Sequence, residues 1–288
     1  MPQIMFQIMF SRRVASLVIS LLLMPVLISI PARAQDGGLR DEQPPIPVEE
    51  IIIQFASMES EFRMARGNYT YRQDVTVQEL NARDRVIGEY HMISDILFEP
   101  GGRTRTEKVV FAPQSTLEGI QLTPQDLDDI RDIQPFVLTT EDLNLYDVEY
   151  LGKELIDEID TYVFQVGPKV IEDGERYFEG QIWVDDLDLQ IVKTFGKAVP
   201  DITENGQENL FPRFETYREQ IDDYWFPTYT RAVDTLNFSS GPKKIRQVIR
   251  YENYKQFASD VILTFGDEIE DEAGDDSVDS TDPVPPEQ

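Results

Sequence analysis

The sequence predicts a mainly β (α+β) fold: one large curved antiparallel sheet, or half-open β-barrel, of about ten strands, covered by one long N-terminal helix and one short mid-chain helix. Three observations predict it. Runs with period-two alternation of apolar and polar residues fill most of the chain between residues 69 and 257. Short turn sequences separate them, which favours an antiparallel meander over β–α–β crossovers. Only two stretches show helical spacing.

Each element has its own signal. Arg12 and Arg13 precede seventeen uncharged residues, 14–30, and Ala32-Arg33-Ala34 supplies small residues at the minus-three and minus-one positions of a cut before Gln35. Residues 1–34 therefore read as a cleaved signal peptide, and the protein as one exported to a periplasm. Residues 35–47, with Pro44, Pro45 and Pro47, read as an extended leader. Residues 48–66 form a helix, because Val48, Ile51, Ile52, Phe55, Met58 and Phe62 make one apolar stripe, with Glu49, Glu50, Glu59 and Glu61 mostly off it. Gly67 stands where a C-cap belongs.

Strands are expected over 69–78, 86–98, 103–111, 148–152, 162–166, 176–184, 191–195, 214–221, 224–238 and 245–257. Pro100-Gly101-Gly102, Glu172-Asp173-Gly174, residues 185–188, Asp222-Asp223 and Ser239-Ser240-Gly241-Pro242 supply turns. Thr123-Pro124-Gln125-Asp126 opens the second helix with a capping threonine, proline at the first position and an acid at the third. Leu122 and Leu127 staple it, and Leu127, Ile130 and Ile133 face one way. The body, residues 48–266, is one domain, and residues 267–288, with ten acidic and no basic residues, read as a disordered tail.

Charge and composition exclude several functions. Three of the 26 basic residues precede Gln35, so 23 remain against 54 acidic ones, a net of −31. Such a surface repels nucleic acid and anionic headgroups. With no cysteine there is no disulfide, thiol chemistry or lipobox anchor, and with His91 as the single histidine no conventional zinc centre or Ser–His–Asp triad is expected. His91 reads as a surface residue opposite Tyr90 and Met92. Asp185-Asp186-Leu187-Asp188 lacks the central glycine and terminal glutamate of an EF-hand and reads as a hairpin turn. No glycine-rich phosphate loop is present. No catalytic residue, cofactor or metal is expected.

What remains is apolar and aromatic. Ile51, Ile52, Phe55, Phe62, Tyr69, Tyr71, Val75, Tyr90, Met92, Leu127, Ile130, Trp183 and Trp225 are the candidate lining of an apolar-ligand cavity between sheet and helices.

Gly180-Gln181-Ile182-Trp183-Val184-Asp185, followed by Gln190-Ile191-Val192-Lys193, resembles a hairpin of the periplasmic lipoprotein-carrier superfamily, LolA, LolB and their relatives. Leu151 to Glu154, Tyr162 to Val166, and Trp225-Phe226-Pro227 leading to Tyr251 and Phe257 are similar to neighbouring strands of that family. The resemblance spans residues 48–260. It implies a half-open barrel closed by helices, with a hydrophobic cavity for lipid or lipoprotein acyl chains, in a monomer. The alternative it admits is a sensor or scaffold that recognises lipoproteins and signals to an envelope membrane-protein partner. The family's latch, an Arg-Pro near the third strand, is replaced here by Pro100-Gly101-Gly102-Arg103, so no latch residue is carried over. A glycosidase built on two carboxylates is the remaining alternative, with no pair nominated.

Overall fold

The structure, a computed structural model, describes residues 38–98, 105–204 and 207–256. The expected signal peptide, the acidic tail and the Pro100-Gly101-Gly102 turn lie outside these residues.

Helix α1 spans Val48–Ala65 and buries Ile51, Phe55, Ala56, Glu59 and Phe62 along one face. Its end corrects the expected glycine cap. Arg66 keeps a right-handed helical conformation, and the chain tightens through a 3₁₀ turn, Arg66–Asn68, directly into β1. Gly67 is buried within that turn, and no left-handed residue is needed where a 3₁₀ turn absorbs the last carbonyls.

Strands β1 (Tyr69–Leu80), β2 (Val86–Phe98) and β3 (Arg105–Ser115) form the first meander. Helix α2 (Pro124–Asp132) then lies on the connection to the far edge of the sheet. From that edge β4 (Tyr146–Ile156), β5 (Ile159–Pro168), β6 (Tyr177–Asp185) and β7 (Ile191–Val199) run inward. A small hairpin of β8 (Ile202–Glu204) and β9 (Gln207–Asn209) comes next, then β10 (Phe214–Ile221), β11 (Tyr224–Phe238) and β12 (Gly241–Gln256). The main sheet has the order β3-β2-β1-β12-β11-β10-β7-β6-β5-β4, all antiparallel. It is curved and not closed: β3 and β4 are its two edges.

The expectation of one continuous meander is thus corrected. Two meanders are joined where the last described strand, β12, pairs with the first, β1, from Tyr69↔Gln256 to Leu80↔Lys244. Because α2 must cross between the two edges, it comes to lie over the first meander while α1 covers the second. Ile51 and Phe55 pack with Phe164, Phe178, Ile182 and Val184, under α1. Ile130 and Leu127 pack with Val75, Val77, Tyr90 and Ile249, under α2.

Two glycines let the second meander close up. Gly180 and Gly196 face each other across β6 and β7, and the Phe178 ring lies against both. A Cβ on Gly180 would come 2.2 Å from the Phe195 carbonyl oxygen, and one on Gly196 would come 2.3 Å from that of Glu179.

Candidate functional site

Among the described residues, hollows lie on both sides of α2. The larger, about 810 Å³, lies between the N-terminus of α2 and the sheet. Val77, Phe214, Leu236 and Ile245 line it from the strands, Ile130 from α2, and Ile120 and Leu122 from the preceding loop. Ile202 and Phe211, on and after the β8–β9 hairpin, close one side.

Local chemistry fixes these walls. The Thr123 hydroxyl accepts the Asp126 backbone N–H, and the Asp126 carboxylate accepts the Thr123 N–H at 2.7 Å, a reciprocal cap. Asn209 donates to the Thr123 hydroxyl at 2.8 Å, which docks the hairpin on that cap. Arg176 forks onto Asp129 at 2.6 and 3.1 Å, stacks 4.0 Å from the Phe211 ring and donates to the Pro200 carbonyl. The rim is acidic, with Asp126, Asp128 and Glu208. Burial raises the Asp126 carboxyl above its usual range, against the opposing pull of its bonds to Thr123. An uncharged apolar chain fits this hollow; a free carboxylate would meet acids at the mouth.

The smaller hollow, about 400 Å³, lies beyond the other end of α2. Phe62, Tyr69, Tyr71, Phe226 and Tyr254 contribute to an aromatic wall, where Tyr71 stacks on Tyr254 at 5.0 Å and Phe226 meets Tyr69 at 4.7 Å. Five arginines also line it: Arg63, Arg66, Arg105, Arg131 and Arg176. Arg66 lies 4.6 Å over the Phe98 ring. Burial lowers its guanidinium to about 10, with Arg218 and Arg63 adding like-charge repulsion. Among the described residues the buried Nε atoms of Arg63 and Arg105 have no hydrogen-bond partner. Asp132, Asp142, Glu172 and Glu175 line the same walls, and Arg63, Arg105, Arg131 and Arg176 each form an ion pair with a neighbouring carboxylate.

A buried ion pair anchors α1 beside it. Glu59 and Arg218 are 0 % and 1 % exposed in their side chains and meet at 3.0 and 3.2 Å. Glu59 also accepts the Ile191 N–H at 3.1 Å, and Arg218 donates to the Phe136 carbonyl. Both carboxylate oxygens and both terminal guanidinium nitrogens are thus engaged, as burial of two charges requires.

The predicted lining residues divide among these places. Ile51 and Phe55 are fully buried in core contact, and Ile52 packs at its margin, so under the middle of α1 there is packing rather than a cavity. Phe62, Tyr69 and Tyr71 line the arginine-rich hollow. Val75, Met92 and Leu127 pack in the cluster under α2, Ile130 also lines the larger hollow, and Tyr90 lines an adjoining groove with Leu117 and Ile120. Trp183 and Trp225 line neither hollow. Ile182 and Val184 point under α1, so strict alternation along β6 sends Trp183 to the opposite face, where it packs with Val163 and Val192 and donates to Glu154 at 2.7 Å. Trp225 joins it there because its neighbour Phe226 faces inward, against Phe62 and Tyr69.

Sequence reasoning missed the five arginines, the ion pair and the β8–β9 flap. Two signals were available. Glu59 sits four residues after Phe55 and three before Phe62, on the apolar stripe rather than off it. Arg218 continues the inward alternation of Phe214 and Thr216. His91 lies on the strand face away from Tyr90, its Nε2 3.0 Å from Asp74. The residues 185–188 turn is a hairpin turn in which Asp185 accepts the Leu187 N–H at 2.9 Å. Among the described residues no three metal-ligating side chains converge.

No protein-family model and no curated protein matches the chain. Solved structures do. A DUF1329 family protein from Desulfovibrio piger is 13 % identical, with a TM-score of 0.37 over 76 % of this chain and 95 % of that one. A LolA superfamily protein from Nitrosomonas europaea is 15 % identical, with a TM-score of 0.33 over 74 % and 94 %. An outer membrane lipoprotein-sorting protein domain from Vibrio parahaemolyticus is 11 % identical, with a TM-score of 0.35 over 72 % and 92 %.

Proposed function

We propose that this protein is a non-enzymatic periplasmic binder of lipid or lipoprotein acyl chains, which it holds in the 810 Å³ hollow beside α2. The observation that carries the proposal is the combination of that volume with walls of Ile120, Leu122, Ile130, Leu236 and Ile245, on the face of an open sheet that helices cover. Its size falls within the ~300–1,000 Å³ typical of small-molecule sites. The acidic rim selects chains carried on a neutral linkage, as an ester or amide, over free fatty acids. The reading of residues 1–34 as a signal peptide supports it, since export would bring the protein to the compartment in which lipoproteins carry such chains.

The test has two parts. Protein purified from a periplasm and extracted with organic solvent should yield stoichiometric acyl lipid by mass spectrometry. Delipidated protein should bind the neutral probe N-phenyl-1-naphthylamine with micromolar affinity, about −8 kcal/mol. Ile120→Gln, at a half-buried loop position, should weaken that binding at least tenfold with little loss of stability. Absence of lipid together with absence of probe binding would defeat the proposal.

A further inference from the structure

The larger hollow carries one polar feature that a plain hydrocarbon chain would leave unused. Gln247 shares the inward face of β12 with Ile245 and Ile249, and Gln134 stands two residues past the end of α2. Both line the hollow, and they are only 3 % and 4 % exposed. The Gln247 Nε2 donates to the Gln134 Oε1 at 2.7 Å. The Gln134 backbone is held separately, its carbonyl accepting the Thr216 hydroxyl at 2.9 Å. Across from Gln247 on the flanking strands stand Val77 and Ala232, whose side chains offer no hydrogen bond.

One bond between two carboxamides satisfies half of the pair, because each amide has an NH₂ donor and a carbonyl acceptor. The Gln134 NH₂ and the Gln247 carbonyl remain, and among the described residues neither has a hydrogen-bond partner. Exchanging oxygen and nitrogen on both side chains changes the labels only; the pair still presents one spare donor and one spare acceptor. Covering these with methylene groups is costly, and a ligand able to bond them avoids that cost. An ester carbonyl only accepts, and would leave the Gln247 oxygen unpaired. The N–H and C=O of a trans amide point in opposite directions, so one amide cannot turn both toward a bonded pair. A hydroxyl donates and accepts through a single oxygen and meets both needs.

We infer that the hollow selects acyl chains bearing a hydroxyl on the chain itself, seated on the Gln134–Gln247 pair. This rests on the hollow being the acyl-chain site proposed above: the apolar walls hold the methylenes, and the carboxamides decide which chain is preferred. The hydroxyl lies inside the hollow rather than at its mouth, since the pair is out of water whereas Asp126, Asp128 and Glu208 of the rim are half-buried.

Delipidated mature protein loaded with N-phenyl-1-naphthylamine tests this by displacement with matched neutral esters. Methyl 3-hydroxytetradecanoate is compared with methyl tetradecanoate, and methyl 12-hydroxyoctadecanoate with methyl octadecanoate. At least one hydroxyester should bind about tenfold or more tightly than its parent ester. In the double variant Gln134→Leu, Gln247→Leu, which removes both partners and leaves no orphan, that preference should vanish while the plain esters still bind. If the double variant does not fold, the comparison in the parent chain decides alone. Hydroxyesters that bind no more tightly than their parents would overturn the inference and leave the acyl-chain site standing. A preference retained in the double variant would overturn it too, by placing the hydroxyl elsewhere. Failure of all the esters to displace the probe would instead defeat the acyl-chain reading, and this inference with it.

Discussion

At the scale of single residues, charge inside the fold decides more than apolar bulk. Glu59 and Arg218 are both out of water, and each satisfies the other as well as a backbone group. Glu59→Gln should therefore cost about 3–5 kcal/mol in urea unfolding, because it leaves a buried guanidinium uncompensated; a loss under about 1 kcal/mol would show that water reaches the pair. Gly180→Ala should cost at least ~1–3 kcal/mol, because the added carbon meets backbone rather than a mobile side chain. Thermal unfolding of that variant checks it. Glu215 gives a pH signature. Burial alone would raise its carboxyl, but bonds from Lys193 at 3.0 Å and Arg231 at 2.6 Å bring it below the usual range. A carboxyl lowered on folding stabilises above its unfolded value of about 4.3 and loses that contribution as pH falls through the folded value. The stability gap between parent and Glu215→Gln should be full at neutral pH and close in acid. A gap that is the same at pH 7 and at about pH 3 would contradict the assignment.

At the scale of elements, α2 is the partition between the two hollows, and its cap is the joint that sets it. Thr123→Ala should cost about 1 kcal/mol for the lost cap. It also removes the acceptor that docks Asn209 of the flap, so binding of the neutral probe should weaken with it. Unchanged probe affinity would show that the stacking of Arg176 on Phe211 and the Ser239 N–H bond to Glu208 hold the flap without the cap. Much of this level was legible in the sequence. β2, β10 and β11 begin and end where alternation and turn chemistry put them, as at Asp222, whose φ of 55° suits a tight turn. β3 was less legible, because an edge strand exposed along nearly all its length has no inward face to impose alternation. β8 and β9, of three residues each, are too short to show a period. The tryptophans misled for another reason: large aromatic size suggested a cavity, whereas parity along the strand decides the face.

At the scale of the whole molecule, the proposed binding function rests on a sheet left open. β3 and β4 do not pair with each other; the connection between them carries α2 across the inner face, and a hollow lies on either side of that helix. The β4 edge is protected by Arg40, which pairs with Lys153, and by Tyr150 donating to the Glu42 carbonyl at 2.6 Å. Sequence could show that two helices must cover one sheet, but not that they would cover different halves of it, since that arises from β12 returning to β1. The acidic tail belongs to this scale too. Its ten acids make up much of the net charge and almost none of the apolar surface, so whatever they touch they touch through exposed ion pairs worth about 0–1 kcal/mol each. Removing residues 267–288 takes away those pairs and, in the same step, relieves self-repulsion in a strongly anionic chain. The two effects oppose each other. For a domain of this size ~1 kcal/mol moves Tm by about 2–4 °C. A mature chain ending at Gly266 should therefore melt within about 3 °C of the full-length protein at physiological salt. A larger fall would show that the acidic segment contributes to the stability of the body.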